Sequence, residues 1–178
     1  MEQNTISFTE ESVRSHFILL AVFWWIGFPL SILGNFVKPF EIIALPFLIL
    51  TTVFWCILLY RHWYTLQGLG ARITPGKAVG FGFIPFYCFY WWFVSYAGLA
   101  TDTNRYLNSI GVRTPRMSFE LAVTDCIISI LISTIGLIPD IGVIMILPYM
   151  IIGFILAWQQ RDCVLAIMHS RKEKTNLA

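Results

Sequence analysis

Charge is what this chain has least of. Only 12% of its 178 residues are charged and 57% are apolar, whereas about a quarter of a soluble domain is Asp, Glu, Lys or Arg. That shortage excludes an ordinary water-soluble globule and points to residence in a bilayer. The net charge of +2 is small, and the basic residues are dispersed among loops, so a nucleic-acid partner is not implied. Cysteine is sparse: Cys56, Cys88, Cys126 and Cys163 form no C-x-x-C pair and read as small buried hydrophobes rather than a metal or redox set. Catalytic motifs are missing as well. There is no H-E-x-x-H and no G-x-S-x-G, and His16, His62 and His169 lack metal spacing. The reading is therefore of a protein that is not an enzyme and needs no cofactor. A secretory signal is not indicated either, because Glu2, Glu10 and Glu11 stand where cations belong. The first apolar run is expected to stay in the mature protein.

Long apolar runs are what the chain does have. Residues 17–37 and 40–60 are 21 residues each, about 31 Å of helix against a hydrocarbon core of about 30 Å. Residues 121–138 and 141–158 are 18 each, about 27 Å. Each pair is joined by a short proline-bearing link, at Lys38-Pro39 and Pro139-Asp140, which predicts two helical hairpins. Ser7 and Glu10 form an S-x-x-E pattern that caps a short leading helix. Pro29 frees a backbone carbonyl inside the first span and predicts a kink against a neighbour. Arg61-His62-Trp63-Tyr64 reads as the interfacial end of the second span, with His62 an interfacial side chain rather than a ligand. In the connector 101–118, Thr101 or Asp102 is the expected cap of a short helix that stops at Gly111. The chain divides into a polar segment 1–16, a first hairpin 17–60, a connector 61–118 with a central element 78–100, a second hairpin 119–160 and a polar tail 161–178.

The central element decides the topology. It is long and apolar enough to span, yet Gly80, Gly82 and Pro85 break it and aromatic rings crowd it. If it spans, there are five helices, and the twelve Lys and Arg residues divide four against eight. If it enters and leaves on one face, or lies along that face, there are four spans and only Lys38 stands apart from the other cations. The positive-inside rule favours this second form. The expected fold is an all-α integral membrane protein of four spans in two hairpins, with a re-entrant or interfacial aromatic element between them and both termini cytoplasmic. Five spans are the alternative.

Single residues carry competing readings. Gly70 to Lys77 imitates a phosphate-binding G-x-x-x-x-G-K-[ST] loop but has the wrong spacing and Ala78 in place of the hydroxyl. It reads better as a Pro75-Gly76 turn with Lys77 facing headgroups. Asp125, a carboxylate about two turns into an apolar helix, is costly unless paired, hydrated or protonated. Either a partner such as Arg105 satisfies it, or it marks an ion or proton path. Asp102 and Arg105, three apart, are expected to pair on one helix face. Ser129, Ser133 and Gly136 give that apolar helix a small-residue face suited to packing within or between subunits.

The run Arg72-Ile73-Thr74-Pro75-Gly76-Lys77-Ala78-Val79-Gly80-Phe81, continuing through Ile84-Pro85-Phe86 and Tyr90-Trp91 to Gly98-Leu99-Ala100-x-Asp102-x-Asn104, resembles a signature of uncharacterised bacterial multi-pass membrane proteins, some joined to small soluble domains. The resemblance implies that the central stretch is a recurring unit and that a bacterial cytoplasmic membrane is its home. It implies no activity.

Two functions follow as expectations. One is a structural or accessory membrane component, with Trp91, Trp92, Tyr87, Tyr90, Tyr96 and Lys77 contacting lipid headgroups or a membrane-protein partner, a second copy included. The other is a small transporter or channel in which the re-entrant stretch lines a cavity and Asp125 meets an ion or proton. A polar cavity reaching Asp125 would favour the second. In a background without the native cysteines, single cysteines near positions 70 and 108 are expected to label from the same membrane face, and one near 140 from the opposite face. Labelling of 70 and 108 from opposite faces overturns the four-span form.

Overall fold

The computed structural model describes residues 8–135 and 139–176. They form helices joined by turns and loops, with no strand among them. Helix α1 (Glu10–Gly34) starts at Thr9, whose Oγ1 accepts the Ser12 amide at 3.2 Å. The cap is thus Thr9 rather than the expected Ser7, which lies outside the described residues. Glu10 and Glu11 in the first turn complement the positive end of the helix dipole. Helix α2 (Lys38–Thr65) follows after three residues and carries proline in its first turn, where the missing N–H costs nothing. Both helices run unbroken through their internal prolines, Pro29 and Pro46.

The close approach of α1 and α2 depends on two glycines. A Cβ on Gly34 would fall 2.7 Å from the Glu41 amide nitrogen and 2.8 Å from its Cα, and one on Gly27 would fall 3.1 Å from the Phe47 Cβ. Seven residues apart, they share a face of α1, and glycine there lets the second backbone move in as small residues do in membrane bundles.

Helix α3 (Pro75–Gly80) leads into a 3₁₀ turn, Phe81–Phe83, and the chain then reverses at Ile84-Pro85-Phe86. Helix α4 (Tyr87–Trp92) runs through a π turn, Phe93–Ala97, into helix α5 (Gly98–Ser109). Neither Thr101 nor Asp102 caps a helix start. The helix is already running, and Thr101 Oγ1 donates back to the Ala97 carbonyl. It does stop where expected, at Gly111, whose φ of +75° suits glycine. Helix α6 (Phe119–Ile135) and helix α7 (Pro139–Asn176) complete the chain. The links between the last two helices, Gly136 included, lie outside the described residues.

Among the described residues, three helices are long and apolar enough to cross a membrane: Glu10–Gly34, Lys38–Thr65 and, within α7, Val143–Glu173. Helix α6 has 17 residues, about 26 Å at 1.5 Å per residue. The outer faces are apolar and uncovered. Ile144, Leu147, Ile151, Ile155 and Trp158 form one exposed stripe along α7, far more contiguous apolar surface than a soluble monomer exposes.

Residues 161–178 were expected to be a polar tail, but α7 continues as helix to Asn176. Cys163, Val164, Ile167 and Met168, spaced for one helical face, are buried against other elements. This end of α7 meets the start of α1 through His169 and Glu10 (3.2 Å), α5 through Ser170 and Tyr106 (3.1 Å), and the loop after α2 through Arg171 and the Gln67 carbonyl. Segments 8–16, 60–77, 102–118 and 159–176 thereby gather at one end of the bundle. Every Lys and Arg except Lys38 belongs to them.

Gly34→Ala is expected to destabilise the protein by about 1–3 kcal/mol, since the added Cβ meets backbone that cannot rotate away. Gly76→Ala, which meets nothing within 4 Å, should leave the detergent melting temperature unchanged. Equal melting of the two variants would contradict this account of the α1–α2 contact.

Candidate functional site

The site is built around the central hairpin. A helix that breaks in apolar surroundings must find other partners for its carbonyls, and here indoles supply them. Trp91 Nε1 donates to the Ala78 carbonyl across the hairpin (3.1 Å), and Trp63 Nε1 of α2 donates to the Ser95 carbonyl inside the π turn (3.1 Å). The rings of Phe81 and Trp91, 4.8 Å apart, fill the space between the arms. The reversal itself is tight. The Tyr87 amide donates to the Pro85 carbonyl at 2.7 Å, and Phe86 takes a φ of +62°, a conformation costing about 1–3 kcal/mol in a bulky residue. Phe83, Ile84, Phe86 and Tyr90 around this tip are exposed. The outgoing arm packs on α2, and the returning arm with its π turn packs on α6.

The base of the hairpin is clamped by charge. Asp102 is buried, and Arg72 holds it with Nη2 at 2.6 Å, Nε at 3.0 Å and its own amide at 3.2 Å. Arg105, the expected partner, lies at 3.5 Å with an exposed side chain and is the lesser contact. Asn104 clasps the backbone of Met117 from both sides, donating to its carbonyl (2.7 Å) and accepting its amide (3.1 Å). Arg72, Ala78, Trp91, Asp102 and Asn104 all fall in the run singled out by the sequence resemblance, so several of its residues hold this one unit together.

With the hairpin so fixed, α1, α2, α6, α7 and the hairpin enclose a cavity of about 460 Å³. Its polar lining includes Thr51, Ser95, Tyr96, Asp125, Ser129 and Tyr149, and its rings include Trp24, Phe28, Trp55 and Trp92. Leu59, Ala78, Leu99, Ala122 and Leu156 pack as one cluster toward the basic end, and no residue of the basic-end segments lines the cavity. Its exposed lining residues, Thr52, Phe83 and Ser133, open it between α2 and the hairpin and toward the opposite end.

Asp125 is 5% exposed, and its Oδ1 has no hydrogen-bond partner. Arg105 does not reach it, being engaged with Asp102 instead. The carboxylate lies beside Gly153 of α7: a Cβ there would come within 3.4 Å of Oδ1 and 2.7 Å of the Trp24 ring. Trp24 is fixed by its indole N–H, which donates to the Met150 carbonyl at 3.1 Å. Ser129 lines the cavity, and its Oγ donates to the Asp125 backbone carbonyl at 2.8 Å.

The structure divides the aromatic set expected at headgroups. Tyr87, Tyr90 and Lys77 are exposed, Trp91 is buried between the arms, and Trp92 and Tyr96 line the cavity. His62 is fully buried rather than interfacial, because α5 folds over the end of α2 and brings Thr103 Oγ1 to 2.9 Å from its Nε2. Reading the sequence missed Trp24, Trp55, Thr51 and Tyr149 as site residues. The available signal was hydrogen-bonding side chains in the middle of apolar runs, but which of them converge depends on packing. All four cysteines are free, and Cys56 and Cys126 line the cavity. Comparison with protein-family models, curated proteins and solved structures finds no match to this chain, so function must be argued from the site.

A buried carboxylate without a partner is a stability liability. Asp125→Asn is therefore expected to melt in detergent at or above the wild-type temperature. A loss of more than about 1 kcal/mol would mean that Asp125 serves the fold.

Proposed function

We propose that this chain is a small transporter or channel of four spans, with both termini on the cytoplasmic side of a bacterial inner membrane. Its central hairpin dips into the bilayer and returns to the same face, and Asp125 is the charged point of the solute path. The observation that carries this reading is the cavity: a chamber with polar side chains, walled partly by the hairpin, reaching an ionisable side chain with an unpartnered oxygen. Non-helical backbone at membrane depth is tolerated where it is covered by protein or lines a cavity, and the hairpin does both. The gathering of all Lys and Arg but Lys38 at one end supports the orientation. The exposed apolar tip supports insertion.

A structural or accessory role is the second reading. It is favoured by the exposed Phe86, Tyr87 and Tyr90 at that tip, which suit contact with lipid or with a membrane-protein partner.

Proteoliposomes test the first reading. Under imposed gradients of protons, Na⁺, K⁺ and small organic cations, flux of at least one is expected to exceed that of protein-free vesicles, and Asp125→Asn should reduce it by about tenfold or more while eluting as the wild type does. Vesicles that remain tight to all of them remove the transport reading.

A further inference from the structure

We propose that the cavity recognises an alkyl-substituted ammonium ion of the choline class, held by Asp125 and a wall of aromatic rings. The inference rests on the cavity being a solute site and names what fits it. Asp125 is the only charged residue lining the cavity among the described residues, and no Lys, Arg or His lies in the wall to neutralise it. A bound cation is the missing counter-charge. A bare divalent metal is a poor candidate, since it requires several oxygen donors with more than one carboxylate, and no group of three His, Cys, Asp or Glu able to hold a metal occurs among the described residues.

The rings supply the second half of the argument. Trp55, Trp92, Tyr96 and Tyr149 are partly exposed where they line the cavity beside Asp125, and Trp24, 2% exposed and stacked on Trp55 at 5.3 Å, backs them. The indole N–H groups of Trp24 and Trp55 are spent on the Met150 carbonyl and the Tyr96 hydroxyl. What these rings offer an occupant is therefore quadrupole and apolar area rather than hydrogen bonds. That is the chemistry of alkylated ammonium ions, whose charge is spread over methyl groups that water solvates weakly. A small, strongly hydrated ion gains little from such a wall, while the cavity volume suits a molecule of several heavy atoms. The buried hydroxyl of Thr51, which has no partner, gives an occupant one polar anchor.

The test is equilibrium binding to the full chain in lipid nanodiscs, read by tryptophan fluorescence and calorimetry. Choline is compared with 3,3-dimethylbutan-1-ol, its uncharged isostere, with Na⁺ as competitor. Choline is expected to bind and to perturb the tryptophan signal, the alcohol to bind at least about tenfold more weakly, and Na⁺ at equal concentration not to displace it. In Asp125→Asn the preference for choline over the alcohol should disappear. Equal affinity for choline and the alcohol, displacement by Na⁺, or no choline binding overturns the proposal, and the wild-type comparison decides it even if the variant fails to fold. Flux of protons or inorganic cations that needs Asp125, without choline binding, removes the ligand class and keeps the transport reading. Choline binding without any flux does the reverse.

Discussion

Backbone amides and carbonyls that leave a helix in apolar surroundings need partners, because no water is present to take them. The hairpin at residues 75–97 meets that demand with tryptophan. The indole of Trp91 crosses from one arm to a carbonyl of the other, and the indole of Trp63 reaches in from α2 to the π turn. Tryptophan suits the task because one side chain brings a hydrogen-bond donor together with a large apolar surface, so the polar repair and the packing come from the same residue. Without these contacts the Ala78 and Ser95 carbonyls would lose those partners, while the turn at Ile84-Pro85-Phe86 is closed by backbone bonds of its own. With them the chain can fold back, and the cavity acquires its fifth wall.

The two carboxylates buried among the described residues are treated in opposite ways. Asp102 lies near the basic end, where Arg72 takes both of its oxygens and Arg105 adds a longer contact, so its charge holds the hairpin base. Asp125 faces the cavity with an oxygen unpartnered and with aromatic and hydroxyl groups opposite. A protein can carry such a group at a cost to its stability when the group has something to do. The contrast separates a carboxylate engaged by the fold from one with an oxygen left open to the cavity.

Much of this was legible in the sequence, and the rest was not for identifiable reasons. The hydropathy of residues 17–60 and 141–158 announced apolar helices, and Gly80, Gly82 and Pro85 announced the break. Asp125 stood out because a carboxylate in an apolar run is conspicuous. The pairing of Arg72 with Asp102 was hidden by a separation of thirty positions, whereas Arg105, only one turn away, looked the natural partner. His62 looked interfacial because nothing in the order of residues says that α5 will cover it. The helical continuation of α7 was masked by its charges: the apolar face of Cys163, Val164, Ile167 and Met168 is narrow and sits among Arg, Asp, His and Ser. The cavity wall was least legible, since Trp24, Trp55 and Tyr149 come from three helices and meet only in three dimensions.

Helix α7 is a single rod of 38 residues, about 57 Å long. At Gly153 it leans against Trp24 and Asp125, and near its C-terminal end it rests on α1, α5 and the loop after α2. Pro148 sits inside this helix, five residues before Gly153, and removes one bond from its ladder there. From Gly153 to Ser170 no proline interrupts it, so one stiff stretch of about 26 Å ties the cavity wall to the contacts at the C-terminal end.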